Sequence, residues 1–172
     1  TINPYYRYES LEDIKKILPD SKYIELTKTY RSSEEIVEYS NRVLGLNHVT
    51  AIRRNKPVPV DEVVEGELNS QLRHDIEECK LHGKSIAIIT KNQDECDKIY
   101  KMLSDTGISK IDNSSKKFNR KFIVVPVYMA KGLEFDSVII YTDKNNKYTK
   151  DEKYLYYVAI TRAQHKLIVY NQ

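Results

Sequence analysis

Tyr30 and Arg31 set an aromatic ring beside a guanidinium at the start of a helical pattern. An arginine can fork two oxygens of one phosphate, and a neighbouring ring can stack on a base. On position alone, a surface arginine packed at a helix start is the favoured reading. A second stretch, Ala130-Lys131-Gly132-Leu133-Glu134-Phe135-Asp136, follows an apolar run. Gly132 suits a tight turn after a strand, and the Glu134 carboxylate is an acceptor for hydroxyl or amide donors. The plain alternative is a strand–turn–strand with Lys131 and Glu134 in solvent. A third stretch, Leu155-Tyr156-Tyr157-Val158-Ala159-Ile160-Thr161-Arg162-Ala163, carries Arg162 near the end of another helical pattern. Arg162 is one turn from Val158 and Ala159, and a cation there also suits the helix dipole. Nothing in simple topology brings Arg162 beside Arg31.

Other chemistry is excluded by spacing. Gly83-Lys84-Ser85 imitates the end of a phosphate-binding loop, but Glu78 stands where the first glycine is required. The tripeptide also leaves a helix and enters a strand, the reverse of the order such a loop needs. The four histidines (His48, His74, His82, His165) show no metal-ligand spacing, and no metal site is expected. Cys79 and Cys96 have no CxxC spacing and read as small apolar helix residues. Asn113-Ser114-Ser115 matches a glycosylation sequon, which also occurs by chance.

These residues are positioned by alternating elements. Ile- and Val-rich runs at 23–26, 86–90, 122–127, 138–141 and 167–170 read as parallel strands buried on both faces. Helical patterns cover 11–18, 32–44, 68–81, 92–103 and 151–163. Ser32 and Glu35 have the spacing of a capping box. Residues 60–64 read as a possible edge strand after the prolines at 57 and 59. The alternation predicts an α/β layer fold with a mostly parallel sheet. Arg31, after the strand at 23–26, would then lie at the carboxyl edge of the sheet, where such folds place ligands.

In order, Thr29-Tyr30-Arg31-Ser32-Ser33, the Lys131-Gly132-Leu133-Glu134-Phe135 stretch and Tyr157-Val158-Ala159-Ile160-Thr161-Arg162-Ala163 resemble motifs IV, V and VI of superfamily 1 helicases of the UvrD/Rep type. The resemblance covers residues 22–47 and 122–172 and leaves 48–121 without a named motif. It implies a three-layer RecA-like domain of the P-loop NTPase kind that lacks its own P-loop. Residues 1–172 would be the second motor domain of a longer chain, with a lead-in helix within 1–20. By the resemblance, Tyr30 stacks on adenine, and Arg31 and Arg162 meet the γ-phosphate as catalytic residues. Gly132 and Glu134 complete the nucleotide contacts, with Glu134 on the ribose. The cofactors implied are ATP and Mg2+, both held mainly by a missing N-terminal RecA-like domain, the first partner.

Pro126 and Tyr128 stand where the commoner family pattern has threonine and histidine. Tyr128 and Lys131 are the candidate nucleic-acid contacts. The spelling, and the short span between Arg31 and Pro126, are similar to the HelD branch, which acts on RNA polymerase. DNA and RNA polymerase are therefore both candidate partners of a bacterial, cytoplasmic ATPase. The alternatives are a non-catalytic module that grips nucleic acid or RNA polymerase, and a repair helicase that unwinds DNA.

Composition sets the bounds. The chain has 172 residues, 40% of them hydrophobic, which suits one domain with a core. No apolar run approaches the roughly 18 residues that span a bilayer, and no signal peptide opens the chain. The first residue is Thr1, consistent with a piece of a longer protein. The formal charge of +3 does not by itself argue for nucleic acid. Basic patches at Arg53, Arg54 and Lys56 and at Lys116, Lys117, Arg120 and Lys121 read as solvated loops. The acidic run of Asp61, Glu62, Glu65 and Glu67 reads the same way.

Overall fold

The computed structural model describes residues 11–22, 24–45, 49–53, 58–63, 67–112 and 121–171. In chain order the elements are α1 (Leu11–Ile17), β1 (Lys28–Thr29), α2 (Glu34–Leu44), β2 (Thr50–Ala51) and β3 (Asp61–Val63). Next come α3 (Leu68–Lys80), β4 (Ile86–Thr90), α4 (Gln93–Met102), β5 (Ser109–Lys110) and β6 (Phe122–Pro126). The chain ends with β7 (Phe135–Thr142), α5 (Lys153–Ile160) and β8 (Ala163–Asn171).

Six strands form one sheet in the order β3-β8-β7-β4-β6-β5, and every pairing is parallel. The apolar runs explain this arrangement. Successive strand side chains point to opposite faces, so a strand covered on both faces must be apolar throughout. Ala87, Ile89, Val138, Ile140, Leu167 and Val169 pack with Ile36 of α2 and Ile160 of α5 on one face. Ile86, Ile88, Ile139, Tyr141, Ile168 and Tyr170 pack with Leu72 of α3 and Ile99 of α4 on the other. The result is a three-layer α/β/α sandwich, as the alternating pattern predicts. Cys79 and Cys96 are free and buried in the second layer, and burial pushes both thiols up to about 12. They pack as apolar groups and are unreactive.

Lys166 of β8 is buried and paired with Asp61 of edge strand β3 and with Glu78 of α3, the latter at 2.9 Å. Burial alone would lower its pKa, but the hydrogen bonds to the two carboxylates outweigh it and raise it. A buried charge is tolerated only when paired in this way.

Three local expectations are corrected. Residues 24–27 form no strand, and Ile24 and Leu26 are 76% and 84% exposed. Tyr23 lies outside the described residues. The chain pairs only at Lys28–Thr29, in a separate two-stranded parallel sheet with β2. The Ser32–Glu35 capping box does not form, because Ser33 is the N-cap and the Ser32 hydroxyl is bonded elsewhere. The last helical pattern divides into a short 3-10 turn at Lys150–Glu152, α5, a turn at 161–162 and the start of β8. The edge strand at 60–64 is present as Asp61–Val63, with Val64 outside the described residues. Arg54, Lys56, Lys116, Lys117, Arg120 and the sequon at Asn113 also lie outside them.

The Gly83-Lys84-Ser85 tripeptide holds a carboxylate of its own chain. Asp136 Oδ2 accepts the Lys84 N–H at 2.8 Å, the Ser85 N–H at 2.9 Å and the Ser85 hydroxyl at 2.8 Å. A Cβ on residue 83 would lie 2.1 Å from Asp136 Cβ, so only glycine admits this approach. Burial pushes the Asp136 carboxyl up, but the hydrogen bonds from Ser85 and Lys84 outweigh it and hold the group below its ordinary value. Gly83→Ala is therefore expected to destabilise the domain by about 1–3 kcal/mol in urea unfolding. Asp136 is more acidic folded than unfolded. Its contribution is present above the unfolded value of about 3.9 and is lost as pH falls through the lower folded value. The stability penalty of Asp136→Asn should thus be full at neutral pH and shrink below about pH 4, as read by unfolding at a series of pH values.

Candidate nucleotide half-site

The geometry begins where β7 and β8 start. Phe135 is paired with Ala163, and the Phe135 N–H donates to Arg162 O at 3.0 Å. Glu134 and Arg162 each sit one residue before a strand, so parallel pairing makes them neighbours at the amino edge of the sheet. The 31–33 loop docks onto the same place. Ser32 Oγ donates to Ala163 O at 2.7 Å, and the Ser33 N–H donates to Gln164 O at 3.0 Å. Arg31 then reaches Glu134, with a guanidinium nitrogen 2.7 Å from Oε1. Gln164 Nε2 donates to the other carboxylate oxygen at 2.9 Å.

Arg31 and Arg162 are held differently. The Arg31–Glu134 pair is about 40% exposed on each side, at 42% and 39%, and water screens it. Arg162 is only 9% exposed. Its Nε donates to Val158 O and a terminal nitrogen donates to Leu133 O, both at 3.1 Å. Burial lowers its pKa first, then the charge of Arg31, while Glu134 opposes the shift. It remains a cation, since arginine does not deprotonate in proteins. Two of its five N–H donors serve carbonyls, which fixes the guanidinium while leaving donors for an external anion. Two adjacent cations with one carboxylate nearby suit a group that combines negative charge with hydroxyl donors.

The cavity beside them lies between α2 and the end of α5. It is lined by Thr29, Arg31, Ser40, Tyr157, Thr161 and Arg162 and measures about 170 Å3. Ligand pockets are usually about 300–1,000 Å3. The cavity is smaller than that range and does not by itself enclose a large ligand.

The remaining expected residues fall in two places. Gly132 has φ +82 at the third position of a turn closed by Leu133 N–H to Ala130 O at 3.1 Å. Positive φ there is the glycine requirement of such a turn; no crowding imposes it, since nothing lies within 4 Å of an added Cβ. Tyr30 is 72% exposed beside Arg31 in sequence, open to an external partner. Tyr128 is exposed but lies past the carboxyl end of β6, where its hydroxyl donates to Gln93 at 3.4 Å. Residues 127–134 cross from that edge to the amino edge, with exposed Lys131 between. Tyr128 is therefore on the opposite edge from Arg31, Glu134 and Arg162.

The expected carboxyl-edge location of Arg31 is corrected for the same reason. Arg31 follows β1, but β1 is outside the main sheet, and its loop docks at the amino end of β8. The carboxyl edge is tied down internally. Buried Glu95 accepts the Lys91 N–H, the Asp143 N–H and the Asn146 side chain, each at 2.9 Å. Gln164 was missed because an amide carries no signal by type; only its contact with Glu134 reveals it. His74, Asp75 and Glu78 come together among the described residues. However, Asp75 is engaged by Tyr170 and Gln71, and Glu78 by Lys166.

Comparison with known proteins bears on the family and the fold. The family model for the UvrD-like helicase C-terminal domain matches residues 75–172. The crystal structure of the C-terminal domain of a possible DNA helicase from Lactobacillus plantarum is similar, with TM-score 0.67 and 27% identity. The alignment covers 83% of this chain and 86% of that one. No curated protein matches. Among the described residues, no helix is long and apolar enough to cross a membrane.

The two arginines and the docking serine should separate by stability. Arg31→Ala breaks an exposed pair and should change the unfolding free energy by less than about 1 kcal/mol. Ser32→Ala leaves the buried Ala163 carbonyl without its donor and should cost about 1–3 kcal/mol. Chemical denaturation of the two variants checks the order.

Proposed function

The chain belongs to the family of UvrD-like helicase C-terminal domains, and from that premise we propose that it is the second motor domain of an ATP-dependent helicase or translocase. The grouping of Arg31, Glu134 and Arg162 at one edge of the sheet carries this reading. In it, the domain forms one wall of a cleft whose other wall is an N-terminal RecA-like domain of the same protein. Arg31 and Arg162 neutralise the γ-phosphate, Glu134 accepts from the ribose, Tyr30 stacks on the base and Gly132 shapes the turn that presents Glu134. The magnesium ligands and the phosphate-binding loop belong to the other wall, so no residue of this chain is given those roles.

The chemistry asked of this chain is electrostatic. Charge on the transferred phosphoryl group spreads in the transition state, and fixed guanidiniums gain most at that moment. Arg162 is held by two carbonyls and needs little reorganisation. Arg31 has to leave Glu134 to reach phosphate. Because that pair is exposed and weak, the exchange costs little. Closing the cleft completes the site, and hydrolysis with product release reopens it. Such a two-state closure can be coupled to movement on nucleic acid. Tyr128 and Lys131, away from the nucleotide edge, are the candidate contacts for the track. Pro126 offers no hydroxyl there, which favours a HelD-like target, RNA polymerase, over duplex unwinding.

Single-turnover and steady-state ATPase assays of the whole protein test the reading. Arg31→Ala and Arg162→Ala should each lower kcat by about 10³-fold, with a smaller change in KM. Arg162→Lys should rescue poorly, because an ammonium cannot fork two oxygens. Arg73→Ala, which breaks contacts with Asn69, Met102 and Asp105, none of them among the grouped site residues, should leave turnover near the parent value. The isolated domain should show no turnover above a blank. Near-parent turnover in both the Arg31 and Arg162 variants would remove the basis for placing these residues at the nucleotide, whereas no turnover by the parent protein would support a non-catalytic binding module.

A further inference from the structure

β8 does not keep one register against β7. Phe135 is paired with Ala163, but Ser137 is paired with Lys166. Asp136 therefore faces two residues, Gln164 and His165, and β8 carries one extra residue, as in a β-bulge. Lys166, after the shift, is buried on Asp61 and Glu78. Gln164 reaches Glu134 at 2.9 Å, and the next residue, His165, lies 3.8 Å from Asp136. The main chain of Gln164 also accepts the Ser33 N–H at 3.0 Å, so one residue anchors both the Arg31 loop and the Glu134 carboxylate.

We propose that Gln164 is a positioning residue that fixes the Glu134 carboxylate for the ribose and thereby sets the preference for ribonucleotide over deoxyribonucleotide. The proposal rests on the reading that Glu134 meets the ribose. Glu134 is partly exposed, and unheld it would rotate and hydrate. Among the described residues, each oxygen has one side-chain donor, Arg31 on Oε1 and Gln164 on Oε2. When Arg31 turns to phosphate, its donor is lost. Among the described residues, Gln164 is then the remaining side-chain donor that orients the carboxylate, and the released oxygen is the one open to a ribose hydroxyl.

The test measures kcat and KM of the whole protein with ATP, with its 2′-deoxy analogue and with its 3′-deoxy analogue. Gln164→Ala should raise KM for ATP about three- to tenfold with kcat retained. KM should not change for the analogue that lacks the contacted hydroxyl, so discrimination shrinks by the same factor. The near-isosteric Gln164→Glu should raise KM further, because it sets a like charge beside Glu134; a merely structural role would make it the milder change. Glu134→Ala is the reference and should abolish the discrimination. If it does so while Gln164→Ala keeps parent KM and discrimination, the role of Gln164 is overturned and the nucleotide reading stands. If Glu134→Ala also leaves discrimination intact, both fall. A Gln164→Ala loss equal for all three nucleotides indicates a structural role and overturns the proposal.

Discussion

Two hydrogen bonds bring the site together. Ser32 Oγ to Ala163 O and Ser33 N–H to Gln164 O join a loop near the start of the chain to a strand 131 residues later. The first is buried, so its loss would leave an unpaired carbonyl in low dielectric. Without this docking, Arg31 has no fixed relation to Glu134 or Arg162. With it, three charged residues from three separate stretches share one edge of the sheet. The contact is neutral, short and shielded, whereas the Arg31–Glu134 pair beside it is partly exposed and able to re-pair. That division suits the proposed role, in which Arg31 exchanges Glu134 for phosphate.

The sheet supplies the second constraint. All strands run parallel, so the residues preceding β7 and β8 gather at one edge and the residue following β6 lies at the other. Glu134 and Arg162 are separated from Tyr128 by the length of a strand although only five residues lie between Tyr128 and Glu134 in sequence order. A domain built this way can face a nucleotide with one edge and another partner with the opposite one. The crossing segment 127–134 joins the two edges, and its first turn, Val127–Met129, packs against α5. The buried Lys166 pairing and the carboxylate nest at Asp136 hold β8 beside β3 and the start of β7 against the start of β4.

Much of the frame was legible in the sequence. Residues 86–90 read as a strand because Ile-Ala-Ile-Ile has no polar face to present, and β4 is buried on both sides. Asn92 reads as a helix start, and its side chain accepts the Glu95 N–H at 2.9 Å. The same logic failed at 23–26, because apolar spelling does not say whether a segment is covered; Ile24 and Leu26 are not. The Ser32–Glu35 spacing failed because a tertiary acceptor, Ala163 O, captured the hydroxyl that a local cap required. Arg31 and Arg162 could be named from motifs, but their adjacency depends on parallel pairing and loop docking. Gln164 was invisible because its residue type carries no signal, and its contact with Glu134 depends on how the starts of β7 and β8 pair.

The central claim is that Arg31 and Arg162 act on one phosphate from the same wall of a cleft. A structure of the whole protein with ADP and a fluoroaluminate mimic of the transferred phosphoryl group tests it directly. The account predicts both guanidiniums within about 3 Å of the mimic, Arg31 released from Glu134, and Glu134 on the ribose. A mimic bound with either arginine still on its present partners and out of contact would contradict it.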